Sequence, residues 1–396
     1  MRSLRFHAEV VLAEPIHTGS ARGLELSTVS GLGVGVRVDP VLPSSDTLGT
    51  GVELDPRRFN RHTFWCGQSG SGKTYALGVV LEQLLLETEL PILVLDPNSD
   101  FVKIDRARPE ADPAKTAALA AIPQRVLRSG DGPGDKLRAR YAQMDVRSRA
   151  AVLRLDPLRD ADEYNVHLKL AADVSTPRYD VEELRSTIGS LDGPGGREFL
   201  LRLENLGVLE WDLWAWGAEC VEDVIDQRPR ATVMDLGGFR QAEESKVAAL
   251  AALDHLWNTR ESRRPILIVI DEAHNLCPAN PLTPVEVALT DRIVQIAAEG
   301  RKFGLWLLLS TQRPSKIHTN ALSQCDNLGL MRMSSPRDLA ELAEYFGYAP
   351  IELLQRASSY ALGQALFAGG FIDEAVIAQM GTRLTAEGGS DVKVPL

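Results

Sequence analysis

Two short stretches carry residue types that could do phosphate chemistry. In FWCGQSGSGKTYALG the run Gly67, Gln68, Ser69, Gly70, Ser71, Gly72, Lys73, Thr74 has the spacing of a P-loop. Glycines let successive backbone N–H groups wrap an anion, and a following helix adds unsatisfied donors and partial positive charge. Lys73 is expected to reach the β- and γ-phosphates of ATP, with the Thr74 hydroxyl on Mg2+. Further along, PILIVIDEAHN closes an apolar run with Asp271 and Glu272. Asp271 is expected to hold Mg2+ through its water shell, and Glu272 to orient and activate the attacking water as the catalytic carboxylate. His274 reads as a packed or hydrogen-bonded histidine rather than a catalytic one.

These groups need elements to position them. Leu77, Val80, Leu81, Leu84 and Leu85 recur at helical spacing, so an amphipathic helix packed on a sheet is expected after Thr74, its N-terminus at the phosphates. Ile266 to Ile270 is apolar on both faces, which fits a central strand of a covered parallel sheet. Ligand sites of α/β proteins form at the C-terminal ends of such strands. Leu305 to Leu309 reads as a second buried strand, bringing Ser310, Thr311 and Gln312 to the edge that carries Asp271. The Gln312 amide could donate to a γ-phosphate or hold the water.

Composition sets the bounds. The chain has 396 residues, 44% apolar and 24% charged, ordinary for a soluble globular protein. No window approaches the length of a membrane span and the first residues lack the apolar segment of a signal peptide, so a cytoplasmic protein without a membrane partner is expected. Cys66, Cys220, Cys277 and Cys325 are scattered and read as reduced, buried thiols. The net charge of −11 weighs against a chain coated in nucleic acid. Lys103 to Arg154, with twelve Lys/Arg against six Asp/Glu, is the one strongly basic stretch, either a solvated face or a functional surface. The letters DEAH suggest an RNA helicase, but only 125 residues follow Asp271, too few for a second ATPase domain after the first has finished its sheet.

Several stretches together resemble the HerA/FtsK group of ring-forming ATPases, in particular the HerA-like proteins of prokaryotes. They are VLDPNSDF at Val94 to Phe101, AEGRKFGLWLLLSTQRPSKI and ALSQCDN between Ala298 and Asn327, ALGQALFAGG, and the tail GTRLTAEGGSDVKVPL. The resemblance implies an α/β fold, a RecA-like P-loop NTPase with a central mostly parallel sheet, a helical insertion and a short N-terminal β region. It further implies ATP and Mg2+ as cofactors and a closed homo-oligomeric ring, a hexamer by analogy. Double-stranded DNA would be the translocated substrate, with a nuclease or other effector as partner. Gln312 matches the family's sensor, Arg301 its site arginine, and Arg61 a basic position near the site that could act as a finger from a neighbouring subunit. Arg332 is a third arginine to consider.

The expected organisation is a β-rich region over 1–60, a RecA-like core over 61–106 and 231–372, a mainly helical insertion over 107–230, and a C-terminal tail over 373–396 that could brace a neighbouring subunit. Asn320 to Asp326 and the basic stretch are candidate pore linings. Trp211, Trp214 and Trp216 are expected to be core rather than a base-stacking platform. The rivals to a translocase are a nucleotide-gated oligomeric scaffold that controls an effector without moving along DNA, and a secretion-type ATPase of the same superfamily that remodels protein.

Overall fold

The computed structural model describes residues 31–38, 51–130, 132, 134–173, 180–190 and 195–389. Residues 1–30 and 39–50 of the expected β-rich region lie outside them. Twelve strands form one sheet: β1 Leu32–Arg37, β2 Gly51–Leu54, β3 His62–Cys66, β4 Ile92–Asp96, β5 Gln124–Arg128, β6 Asp135–Lys136, β7 Ala231–Asp235, β8 Ile266–Ile270, β9 Leu305–Thr311, β10 Cys325–Met331, β11 Gln364–Gly369 and β12 Val376–Met380. Their order is β2-β1-β12-β11-β10-β3-β9-β8-β4-β7-β5-β6. The block from β10 to β6 is parallel throughout, and β11, β12, β1 and β2 join antiparallel. This is the RecA-like arrangement expected, with β9 between the P-loop strand β3 and the carboxylate strand β8.

The central strands are apolar throughout because both faces are covered. Leu267 and Val269 of β8 pack with the helix α1 (Lys73–Glu87), while Ile266, Ile268 and Ile270 face the opposite core. In the insertion α2 (Pro113–Ala120), α3 (Val146–Val152), α4 (Ala161–Asp173), α5 (Val181–Ser190), α6 (Gly195–Leu206) and α7 (Val221–Gln227) follow one another. Two long helices, α8 (Ala242–Asn258) and α9 (Pro284–Glu299), cover the core that receives Ile268.

The structure departs from the sequence reading in three places. The insertion is not helical alone, since β5 and β6 extend the parallel sheet beyond β7. The short run QRVLR hides this because it forms an outlying strand with mixed polarity. The second departure is that α1 is buried nearly all round rather than amphipathic, with Glu82 only 1% exposed. The third explains the second: through Gly389 the tail packs on its own subunit, across the outer face of α1. Leu384 and Thr385 donate backbone N–H groups to Glu82 at 2.7 and 2.8 Å, and the Arg383 guanidinium, fully buried, lies 3.7 Å from the same carboxylate. Gly78 makes room, since a Cβ there would meet Arg383 Nε at 2.4 Å.

Removing one partner of a buried ion pair leaves the other charge uncompensated. Arg383→Met should therefore cost about 3 kcal/mol in denaturant unfolding, and Gly78→Val should be similarly harmful because its side chain overlaps the guanidinium. A loss below ~1 kcal/mol for both would mean that the tail is not a structural part of the core.

At the start of β3, His62 is fully buried and its Nδ1 accepts from the Leu307 N–H of β9 at 2.9 Å. Burial, with the positive charge of Arg301 adding to it, lowers its pKa to about 4. The unfolded chain takes up this proton below about pH 6.5 and the folded chain only below about 4, so acidification through that window favours unfolding. The contribution amounts to roughly 3 kcal/mol at most. His62→Asn, which keeps an acceptor for Leu307, should flatten the stability-versus-pH curve between pH 4 and 6.5; an unchanged slope would remove His62 as its source.

Candidate nucleotide site

The P-loop lies between the end of β3 and the start of α1, where an anion would meet backbone donors. Gly70 and Gly72 have φ of +70° and +87°, a left-handed conformation that a side chain would strain, and Gly72 is the N-cap of α1. The loop is held from β10: Gln68 N–H donates to the Arg332 carbonyl at 2.9 Å, and Arg332 Nη2 donates to the Gly70 carbonyl at 3.0 Å. Of the three arginines considered from sequence, Arg332 is the one beside this subunit's own P-loop.

Lys73 is 7% exposed and its ammonium lies at the centre of the cluster. It donates to Asp271 Oδ1 at 2.9 Å and to Ser310 Oγ at 3.0 Å, and Glu272 Oε1 lies 3.3 Å away. Burial acts to lower the lysine's pKa, but Asp271 and Glu272 together outweigh it and hold the ammonium above its ordinary value. Ser310 in turn donates to Asp271 Oδ1 at 2.7 Å, so β8 and β9 share one polar contact at their C-terminal ends.

Glu272 has φ of +42°, a strained position for a residue with a side chain. Its carboxylate lies 3.2 Å from His274 Nδ1 and accepts a 3.4 Å contact from the Gln312 backbone N–H. Burial acts to raise its pKa, but the His274 hydrogen bond and the charge of Lys73 prevail and keep it below the usual value, hence ionised. His274 also contacts Thr311 Oγ1 at 3.0 Å, so it is the hydrogen-bonded histidine expected, and it fixes the orientation of Glu272.

Two further acids join the site, and sequence reasoning did not place them there. Asp96 and Asp100, from the DPNSD turn after β4, present carboxylate oxygens within 4.8 Å of each other and of Asp271. Asp96 also shapes the turn by accepting from the Asp100 and Phe101 N–H groups at 3.0 and 2.8 Å. Burial raises Asp96 to about 7 and Asp100 to about 6, with the charge of Asp271 adding to both. Asp271 Oδ2 and Ser71 Oγ are buried with no hydrogen-bond partner. An orphaned carboxylate oxygen facing two more carboxylates is the environment a hard divalent cation requires, so the residues fit Mg2+. The available signal was the spacing of the two acids beyond an apolar strand.

Arg61 and Arg301 are not brought to this cluster. Both sit at the N-terminal ends of their strands, ahead of β3 and β9, on the sheet edge opposite the P-loop. There they flank one carboxylate, Asp326, at 3.7 and 2.6 Å. The seven residues of β9, at about 3.3 Å each, put Arg301 roughly 20 Å from Thr311, beyond the reach of a side chain. Neither arginine therefore reaches its own subunit's phosphate edge, and the sequence leaves open which of them would act from a neighbouring subunit.

The fold and this cluster define a class, the RecA-like P-loop NTPase fold. Residues 42–188 match the family model described as the central domain of helicase HerA. A probable DNA double-strand break repair helicase HerA of Methanocaldococcus jannaschii is 28% identical over 131 residues, 33% of this chain and 25% of that protein. The chain thus spans about a quarter of the length of the first curated relatives it matches. Among solved structures, VirB4 of Thermoanaerobacter pseudethanolicus superposes with a TM-score of 0.59 at 16% identity, covering 89% of this chain and 97% of that one. The plasmid coupling protein TrwB, in complex with a non-hydrolysable ATP analogue, gives 0.55 at 15% identity over 91% and 96%. By sequence the chain is similar to the central domain of HerA over part of its length.

Proposed function

We propose that the protein is an ATP-dependent translocase or helicase acting on double-stranded DNA, which assembles head-to-tail into a closed ring, a hexamer by analogy, and hydrolyses ATP at subunit interfaces. The observation that carries the interface is the separation of Lys73 and Glu272 from Arg61 and Arg301 on opposite edges of one sheet. Head-to-tail stacking is the arrangement that joins such edges. The DNA substrate rests on what the relatives are named for, and a nuclease or other effector in DNA end processing or anti-phage defence would be the partner.

When ATP binds, Lys73 exchanges its carboxylate partners for the β- and γ-phosphates, while the P-loop N–H groups and the N-terminus of α1 hold the anion. Thr74 and Asp271 would hold Mg2+, with Asp96 and Asp100 beside them, and the ion would supply positive charge against the phosphates. Glu272, oriented by His274, takes the proton of the attacking water. Gln312, whose backbone already touches Glu272, senses the γ-phosphate with its amide. The neighbour's Arg301 or Arg61 stabilises the charge of the transferring group.

Steady-state hydrolysis with and without linear duplex DNA at low salt tests this, with Glu272→Gln as the background. Stimulation of tenfold or more that fades as salt is added is expected. One observation favours the scaffold reading: much of the basic stretch is neutralised locally, as Arg125 by Asp135 and Glu219, Arg140 by Asp223 and Arg154 by Glu243. A rate indifferent to DNA would overturn the translocase and favour that alternative, turning the search to a protein partner.

A further inference from the structure

The phosphate edge of the sheet carries more negative charge than its own cations balance. Asp96, Asp100, Asp271 and Glu272 meet there, and the Lys73 ammonium is shared between Asp271 Oδ1 at 2.9 Å and Glu272 Oε1 at 3.3 Å. Among the described residues Asp96 forms no ion pair, and the Asp100 carboxylate has neither an ion pair nor a hydrogen bond. The buried Arg383 is committed to Glu82 and Glu387, at 3.7 and 3.3 Å. Asp235, the neighbouring acid at the end of β7, is taken by the Ser99 hydroxyl at 2.7 Å. A buried carboxylate without a counter-charge is costly, so this surplus calls for a cation.

Three of the acids are arranged as ligands. Asp96, Asp100 and Asp271 each present one oxygen, all within 4.8 Å of one another, a spacing that a single cation at about 2.4 Å from each oxygen bridges. Asp96 and Asp271 are fully buried. Asp271 Oδ1 is engaged by Lys73 and Ser310, while its Oδ2 is buried without any partner. The two oxygens of Asp96 each accept one N–H of the turn, which fixes the carboxylate and leaves each oxygen a further lone pair. Asp100 is held in place from the tail. Gly388 N–H donates to its carbonyl at 2.9 Å, and a Cβ on Gly389 would meet its Oδ1 at 2.8 Å. The three carboxylates are thus positioned by the fold itself, with no phosphate needed to assemble them.

We propose that Asp96, Asp100 and Asp271 form a divalent-cation site that fills without nucleotide and takes Ca2+ or Mn2+ in preference to Mg2+. The Mg2+ of a nucleotide site keeps several waters and is held by one or two carboxylates together with the phosphates. Three converging carboxylates supply from the protein what the phosphates would otherwise bring. Direct contact with several of them suits an oxygen-seeking ion that tolerates irregular geometry, whereas Mg2+ dehydrates reluctantly. The inference rests on the reading of this edge as the nucleotide site only in that Asp271 is shared.

The test uses the full chain, stripped of metal by a chelator and free of nucleotide. Calorimetric titration with CaCl2, MnCl2 and MgCl2 measures the affinities, and the electron paramagnetic resonance of free Mn2+ counts the bound ions. One Ca2+ or Mn2+ per subunit should bind saturably at or below about millimolar concentration, tenfold or more tighter than Mg2+. Asp100→Asn should weaken that binding tenfold or more, whereas Asp105→Asn, at an exposed acid of the same segment, should leave it unchanged. Absence of saturable Ca2+ and Mn2+ binding without nucleotide, an equal affinity for Mg2+, or an affinity that survives Asp100→Asn would overturn the proposal. The wild-type titrations need no variant to fold. The ATPase reading is judged separately, by Mg2+-dependent binding of a non-hydrolysable ATP analogue to the same chain, which can persist where the nucleotide-free cation site fails and be absent where it succeeds.

Discussion

Glu272→Gln should reduce ATP hydrolysis by ~10²- to 10⁴-fold while Mg2+–ATP affinity stays within a few-fold of wild type. The substitution keeps the shape of the side chain and an acceptor oxygen for the Gln312 N–H and for His274. It removes the charge and the basicity, which are the properties that this site maintains. A carboxylate only 6% exposed would ordinarily be inclined to protonate, yet His274 and Lys73 hold Glu272 ionised. Because its pKa lies below the ordinary carboxylate value, the hydrolysis rate should show no acid limb from Glu272 at neutral or mildly acidic pH. Single-turnover hydrolysis alongside calorimetric nucleotide binding separates the two effects. A fall of less than tenfold would pass the water-activating role to another group, with Asp100, clustered with Asp96 and Asp271, the next carboxylate to test.

The P-loop and the Asp271–Glu272 pair were legible because their chemistry is local. Gly72 must take a positive φ, the helix must start at Lys73, and the carboxylates must follow an apolar strand, all within a few residues. Placing Arg301 required topology, although the information was present. The apolar run that delivers Ser310 and Gln312 to the phosphate edge must carry the residues before it to the opposite edge, and Arg301 is one of them. The Glu82–Arg383 pair could not be read, because the two residues lie about three hundred positions apart and Glu82 on a helix of leucines reads as a solvent-facing residue. Asp96 and Asp100 were intermediate. Their turn was noted, but that it opens onto Asp271 follows only from β4 being the parallel neighbour of β8.

The edge-to-edge separation of Lys73 and Arg301 gives the second large prediction. If ATP is hydrolysed between subunits and Arg301 is the finger, Arg301→Ala should lower the rate by about 10³-fold or more, and Lys73→Ala should abolish it. Each variant keeps what the other lacks: Arg301→Ala subunits retain an intact P-loop, and Lys73→Ala subunits retain an intact arginine edge. In rings of the two mixed equally, about a quarter of interfaces would pair a good P-loop with a good arginine, so activity should reappear from two inactive preparations. A same-subunit role forbids this, since no site would then have both groups. Arg61→Ala requires the same mixing experiment, because Arg61 and Arg301 flank the same Asp326 and either guanidinium could face the neighbour. Rescue with one variant and not the other would identify the finger. The partner that fails to rescue would then be assigned to holding Asp326, and its loss should weaken hydrolysis only several-fold, as expected when an exposed ion pair that orients a neighbour is removed. If neither mixture rescues in rings verified to contain both chains, interface hydrolysis by these arginines is excluded, and Arg332, already donating to the Gly70 carbonyl, becomes the arginine to mutate.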